Sequence, residues 1–144
     1  MLESKELAGL LDVLLSRLSL ATENRKNLFA NEFGITRQQF DALNIIYDKG
    51  QITMGQLCQE ISSVCSTATD LVDKLEKAAL VERVRDKKDR RIVRLKILPR
   101  GEKLVRSARE MRILELEAVL KTYQREEMIN LISLLETLAE KLEV

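Results

Sequence analysis

The side chains with the clearest chemical potential form one basic segment, residues 83–100. Nine Lys or Arg lie there against two Asp, a net charge of +7, whereas the whole chain of 144 residues carries +1. Residues 110–144 have the opposite bias, with eight Glu against four Lys or Arg. A compact basic segment in a near-neutral chain predicts a local contact with a polyanion. The alternative is a charged surface that is only solvated.

Two cysteines, Cys58 and Cys65, are the other side chains that suggest reactive chemistry. Two thiols are too few for a four-thiolate metal site, and a secreted disulfide framework would use more. The first six residues include two Glu and one Lys, unlike the basic start of a signal peptide. We therefore expect a cytoplasmic protein with no metal and no cofactor.

The absence of histidine restricts the functions open to this chain. It removes His-based catalytic triads, His general bases and zinc sites that use His. The sequence also lacks a Gly-rich phosphate-binding loop, so an enzyme is not expected. The longest stretch without a charged residue, Gly50–Gln59, has ten residues. Because a membrane span needs about 20 apolar residues, no contact with a membrane is expected either.

Hydrophobic periodicity predicts a mainly α fold with a small β-hairpin. Hydrophobic residues make up 45% of the chain and aromatic residues only 3%, which suits helices packed through aliphatic side chains. Thr36 and Thr53 are predicted N-caps, and Ser62-Ser63 offers a third. The predicted helices cover about 7–29, 37–49, 54–61, 64–79, 102–122 and 125–142. Between 81 and 98 the pattern alternates, which predicts two short strands joined around 86–89.

This order of elements predicts a winged helix-turn-helix lobe. In that fold the second helix of the pair enters the DNA major groove while its inner face packs on the other helices. The predicted inner face consists of Ala68, Leu71, Val72, Leu75 and Ala79. The predicted DNA-facing positions of this recognition helix are Ser63, Cys65, Ser66, Thr67, Asp70 and Lys74. The hairpin, or wing, would add phosphate and minor-groove contacts through Arg85, Lys87, Lys88, Asp89, Arg90 and Arg91.

Four segments of the sequence resemble the MarR family of winged-helix transcriptional regulators. Residues 70–83 (DLVDKLEKAALVER) are followed by the wing segment DKKDRR at 86–91. Upstream, ITRQQFDAL at 35–43 resembles the family's entry to its second helix. Downstream, LPRG at 98–101 stands where the family has Leu-Thr-x-x-Gly. The combination is specific, although each segment alone is a weak signal.

The resemblance implies a homodimeric repressor that binds a pseudo-palindromic double-stranded operator. Residues 1–32 and 102–144 would then form dimerisation helices, and residues 35–100 the DNA-binding lobe of a single domain. The family also implies release of DNA by a small lipophilic or phenolic effector or by cysteine oxidation. Its wing motif falls on Asp89 and Arg91, where the Arg enters the minor groove and the Asp helps to hold it. Alternatively, Asp86 and Asp89 make hairpin turn contacts.

Three residues depart from the family pattern. Ala79 replaces a Gly that would end the recognition helix in a left-handed conformation, so Ala costs about 1 kcal/mol there or the turn differs. Pro99 replaces the usual Thr at the start of the next helix, a compatible change. Asp70 replaces Arg or another polar residue. It could accept a hydrogen bond from cytosine N4, or it could pair with Lys74 one turn later.

The two cysteines leave two hypotheses open. Cys65 lies near the start of the recognition helix, where the helix dipole stabilises a thiolate, so oxidation there would alter a DNA-facing surface. Cys58 lies seven residues earlier, on the preceding helix, and is the second candidate redox residue. The alternative, which we favour for each, is that both are small buried apolar residues.

A DNA-binding regulator is the favoured function, and a winged-helix protein–protein adaptor without DNA binding is the alternative. The intact wing motif at Asp89 and Arg91 argues against the adaptor. DNA affinity that depends on salt concentration would separate the two functions.

Overall fold

The computed structural model describes residues 1–61 and 65–143, which form helices with a small sheet. The predicted order of helices and strands is confirmed, and the winged-helix fold with it. The elements are α1 (Ser4–Glu32), α2 (Arg37–Lys49), β1 (Ile52–Thr53), α3 (Met54–Glu60), α4 (Cys65–Lys77), β2 (Val81–Arg85), β3 (Val93–Ile97), α5 (Pro99–Leu120) and α6 (Arg125–Leu142). In the described parts of the chain, no helix is long and apolar enough to span a membrane.

Reciprocal side-chain caps fix where α2 and α3 begin. The Thr36 hydroxyl accepts a hydrogen bond from Gln39 N at 3.2 Å, and Gln39 Oε1 accepts one from Thr36 N at 3.0 Å. Thr53 and Gln56 repeat this arrangement at the start of α3. Because each cap satisfies two otherwise unpaired N–H groups, both predicted N-caps are confirmed. The third predicted cap, Ser62-Ser63, lies outside the described residues.

The sheet has three antiparallel strands in the order β1-β3-β2. The central strand places the buried Leu95 opposite Ile52 on one side and Arg83 on the other. The alternation of 81–98 predicted the hairpin of β2 and β3 but not β1. A strand of two residues is too short to show a period.

All buried hydrophobic side chains of the described chain lie between Phe29 and Ala108. They include residues from α2, α3, α4 and the sheet, such as Leu43, Leu57, Val72 and Leu95, all fully buried. Backbone contacts divide the chain into two compact units, residues 1–106 and 107–144. Among the described residues 107–143, Ala108 is buried and no side chain of α6 is.

Gly101 allows the first turn of α5 to pack directly against the segment between α4 and β2. A Cβ on this residue would collide with the backbone carbonyl of Leu80. That same carbonyl oxygen accepts a hydrogen bond from Leu98 N at 2.9 Å, so it is held in place. Gly101 therefore packs a bare Cα against backbone that cannot move away. Pro99 begins α5, as its fixed φ allows.

Ala79 adopts the left-handed conformation that its family position predicts, with φ of +57°. The helix ends at Lys77, and Leu80 N donates to Leu75 O at 3.0 Å, the long hydrogen bond of a helix C-cap. The expectation that Ala79 lies on the buried face of the helix is wrong. Its side chain is exposed, because the chain has already left the helix.

The substitution Ala79→Gly is expected to stabilise the protein by about 0.5–1 kcal/mol. A left-handed Ala costs roughly 1–2 kcal/mol, and the greater freedom of Gly in the unfolded chain offsets part of that gain. Chemical denaturation at fixed protein concentration measures the difference. Ala78→Gly is the matched control and should destabilise. Equal or lower stability of Ala79→Gly would contradict the assignment.

Candidate nucleic-acid interface

Helix α4 presents a polar surface on one side and a packed surface on the other. Its buried residues are Ala68, Leu71, Val72 and Leu75, which confirms these four positions of the predicted inner face. Of the predicted DNA-facing residues, the structure exposes Cys65, Ser66, Thr67, Asp70 and Lys74. Ser63 lies outside the described residues. The exposed side chains are small near the start of the helix, so this surface can approach a flat or grooved partner closely.

Asp70 and Lys74 pair with each other across one turn of α4. Lys74 Nζ lies 3.0 Å from Asp70 Oδ2, and both side chains are more than half exposed. The helix pairing offered as one explanation for Asp70 is therefore confirmed. The exposed pair contributes little stability and can exchange for contacts to a partner. The hydrogen bond from cytosine N4 to Asp70 stays a prediction.

Arg83 fastens β2 to α4 rather than facing outward. Its guanidinium donates to Asp73 Oδ1 at 2.6 Å and to Glu76 Oε1 at 3.5 Å, while its backbone N–H donates to Glu76 Oε2. The sequence counts this residue within the basic segment. The structure instead directs its charge toward two carboxylates of the recognition helix, so it adds little to the outward potential.

The tip of the wing carries the outward charge. Its basic side chains are exposed, and no ion pair joins any of them to another residue that the structure describes. They are Lys87, Lys88, Arg90 and Arg91, and Arg85 at the end of β2 shares both properties. When unpaired Lys and Arg side chains neutralise phosphates, the nucleic acid releases its condensed counterions, which favours binding. This tip is therefore suited to contact a polyanion.

Asp89 supports Arg91 through the backbone. Asp89 Oδ1 accepts a hydrogen bond from the Arg91 N–H at 3.0 Å, and Asp89 O accepts one from Ile92 N. No ion pair links the two side chains. In this structure Asp89 therefore makes a hairpin turn contact, which was the alternative interpretation of this residue.

Asp86 makes the larger set of contacts in the wing. Its Oδ1 accepts hydrogen bonds from Lys88 N at 2.8 Å and Asp89 N at 3.2 Å, while its Oδ2 accepts one from Arg94 Nε at 2.7 Å. The turn contacts proposed for Asp86 are confirmed. The partnership with Arg94 was not predicted, since two residues eight apart give no periodic signal.

These contacts stabilise the charged form of Asp86. The Arg94 hydrogen bond, followed by the two backbone N–H groups, holds the pKa of this carboxyl below its usual range. Because the folded pKa is depressed, the contribution to stability is present above the unfolded pKa of about 4. It is lost only as pH falls from there through the folded value. The wing contacts of Asp86 are thus constant between about pH 5 and 8.

Cys58 and Cys65 are bonded to each other, with their Cα atoms 5.4 Å apart. Cys58 is buried on α3, whereas Cys65 is exposed as the first residue of α4. The expectation that both are inert buried thiols is therefore wrong for Cys65. The positions of α3 and α4 bring the two cysteines together, a geometry that a spacing of seven residues does not reveal.

Comparison with known proteins relates this chain to one family. A family model, the MarR family, matches residues 35–93. The uncharacterized HTH-type transcriptional regulator YsmB of Bacillus subtilis is 39% identical over 98 residues, 68% of this chain and 67% of that protein. The HTH-type transcriptional regulator FarR of Neisseria gonorrhoeae is 30% identical over 138 residues, 96% and 93% of the two chains. The structure of a MarR family protein from Bacillus stearothermophilus superposes with a TM-score of 0.90 at 30% identity, covering 99% and 100%.

These similarities extend beyond the lobe that carries the polar helix and the charged wing. The relatives FarR and the Bacillus stearothermophilus protein match nearly the whole chain, including α1 and α6. Family members are transcriptional regulators and not enzymes, in agreement with the absence of histidine and of a phosphate loop. This chain belongs to the MarR family of winged helix-turn-helix, DNA-binding transcriptional regulators.

Proposed function

We propose that the protein is a homodimeric, sequence-specific repressor that binds a pseudo-palindromic operator in the cytoplasm. The observation that carries this proposal is the combination of a small, polar face on α4 with a wing tip whose cations pair with no carboxylate of the described residues. A helix of this kind fits the major groove, which is about 12 Å wide. An Arg such as Arg91 suits a narrow, electronegative minor groove.

The apolar surfaces outside the lobe support a dimer. Helix α1 leaves Leu7, Leu11 and Leu14 each about half exposed, and α6 does the same with Leu131 and Leu135. Monomeric proteins rarely expose such continuous apolar surface, whereas stable homodimer interfaces are built from it. MarR family regulators bind DNA as dimers. A second copy of this chain is therefore the proposed partner for both helices, and residues 1–32 and 102–144 are proposed as the dimerisation segments.

Selection of bound sequences from random duplex DNA tests the proposed function. Inverted repeats with half-sites centred about one helical turn apart, roughly 34–36 Å, are expected for a two-fold dimer. Affinity should fall steeply with salt, because wing cations replace counterions on phosphates. An adaptor without DNA function would show neither an enriched motif nor a salt-dependent affinity, and either absence would refute the repressor.

Oxidation is the release signal that the lobe itself supports. The bond between Cys58 and Cys65 ties the first residue of α4 to the buried side of α3, next to the residues proposed to meet bases. In the proposed reaction, a hydroperoxide accepts two electrons and two protons from the two thiols. Its O–O bond breaks to give an alcohol and water, and the S–S bond forms. A small lipophilic or phenolic effector is the alternative signal.

Treating the reduced dimer with a hydroperoxide is expected to lower operator affinity at least about tenfold, the scale of a single mismatched base pair. The double variant Cys58→Ser/Cys65→Ser should keep the affinity of the reduced protein and lose its response to peroxide. Fluorescence anisotropy with labelled operator measures both. Equal affinity of the oxidised and reduced parent would exclude the redox signal and leave an effector as the release mechanism.

A further inference from the structure

Asp86 is an unexpected residue in a DNA-binding wing. A carboxylate beside phosphates should weaken binding by repulsion, and the surrounding tip is otherwise strongly basic. Yet Asp86 is the less exposed of the two wing aspartates, with only 16% of its side chain accessible, and it is paired with Arg94. Its charge is therefore largely neutralised inside the wing before any DNA approaches.

The hydrogen bonds of Asp86 connect both strands of the wing to its tip. Asp86 follows β2, its Oδ1 accepts from the backbone of Lys88 and Asp89, and its Oδ2 accepts from Arg94 on β3. The tip contains no ladder pairing, because the register of β2 with β3 ends at Arg85 and Val93. The Asp86 carboxylate therefore holds the backbone at the start of the tip, and Asp89 continues this support to Arg91 N.

Arg94 extends the connection to the lobe. Its Nη1 donates to the backbone oxygen of Gln51 at 3.4 Å, just before β1. Strand β1 supplies only two paired residues, so this contact is a further attachment between the wing and the chain that enters α3. With Nε directed to Asp86 and Nη1 to Gln51, Arg94 is engaged with groups within the protein.

We propose that Asp86 and Arg94 form a clasp that positions the wing tip, residues 87–91, for DNA, so that an acidic residue raises operator affinity. This inference rests on the proposed DNA-binding function and adds two positioning residues to it. Neither side chain needs to touch DNA, since Asp86 acts on the backbone of the tip and Arg94 acts on Asp86.

The variant Asp86→Asn separates positioning from charge. Asn keeps an oxygen for the two backbone N–H groups but turns an NH2 donor toward the Arg94 donor, so the clasp opens. Removal of a negative charge alone should raise affinity for any duplex. We expect operator affinity to fall by about tenfold, the scale of one lost base contact, while affinity for random duplex rises slightly. Glu82→Gln is the matched control, because it removes one carboxylate from the same hairpin, where Lys96 lies 4.0 Å away.

The variant Arg94→Lys tests the same clasp without any change in net charge. Lys lacks the Nε–H and the planar fork that reach Asp86 and Gln51 together. It should lower operator affinity and leave affinity for random duplex and its salt dependence unchanged. Amide hydrogen exchange of Lys88 and Asp89 in the free dimer should quicken in both variants, and a single cooperative denaturation transition should show that the lobe is folded.

Three outcomes decide the proposal. The proposal is supported if both variants lose affinity for operator but not for random duplex, and if the amides of Lys88 and Asp89 exchange faster in both. If Asp86→Asn binds operator as tightly as Glu82→Gln does, the clasp has no positioning role and the inference is overturned while the repressor function stands. If the parent protein binds no duplex with a salt-dependent affinity, the proposed function fails, and the inference fails with it.

Discussion

Deleting residues 1–20 is expected to leave no stably folded monomer. The deletion removes most of α1, including Leu7, Leu11 and Leu14, which are exposed in the single chain and proposed to be buried by a second copy. Loss of that half of the interface leaves the apolar residues of α6 without a partner, so aggregation or unfolding should follow. The same result is expected on deleting residues 125–144. Analytical ultracentrifugation with thermal denaturation measures it.

A single substitution gives a sharper version of this experiment. Leu135 is 43% exposed in the chain alone, so Leu135→Asp should be harmless to a monomeric protein. In a dimer it buries an unpaired charge and should reduce the stability of the assembly by several kcal/mol. Leu135→Met is the matched control, because it keeps the apolar volume. A soluble, cooperatively folding monomer from either deletion, or full stability of Leu135→Asp, would refute the dimer.

Arg91→Ala is expected to weaken operator binding by about 1–3 kcal/mol per contacted half-site, without loss of folding. The side chain is exposed at the wing tip and pairs with no described residue, so its removal leaves the hydrophobic core intact. Insertion of Arg into a narrow A·T minor groove is sensitive to sequence, and the loss should therefore be larger for operator than for random duplex. Competition binding with both DNAs measures the difference.

Lys88→Ala provides the comparison within the same tip. Lys88 is exposed and is proposed to contact phosphate, so its loss should weaken binding to all sequences alike and lower the salt slope by up to about one unit. The same applies to Lys87 and Arg90. Unchanged operator affinity for Arg91→Ala would remove this residue from the interface, and a changed sequence preference for Lys88→Ala would reverse the two assignments.

The fold was predictable because local signals agreed with tertiary structure. Apolar positions three and four residues apart marked the packed face of α4, and the Thr36 and Thr53 caps marked where α2 and α3 begin. Family resemblance predicted the left-handed residue at position 79, although the helical periodicity had placed Ala79 on a buried face. In that case the backbone requirement of the C-cap overrode the apolar pattern.

The charged residues of the candidate site were predictable from the sequence, but the ion pairs that they form within the protein were not. Sequence showed that the wing is basic, yet it could not show which cations are neutralised within the protein. Arg83 and Arg94 find their carboxylates through tertiary contacts, seven or more residues away in sequence. The Cys58–Cys65 contact depends likewise on the angle between two helices. Such pairings depend on how the elements pack, whereas the basic character of the wing can be read from the sequence alone.

Within the described chain, the confinement of buried side chains to residues 29–108 has a consequence for gene control. If folding of the terminal helices requires a second chain, folding is a second-order process, and each tenfold dilution lowers the stability per dimer by about 1.4 kcal/mol. The thermal midpoint should then rise with protein concentration. A newly induced cell, with few copies, would hold a smaller fraction of competent protein than a cell at steady state. DNA binding would therefore begin only above a threshold of synthesis, which sharpens its response to changes in expression of the protein.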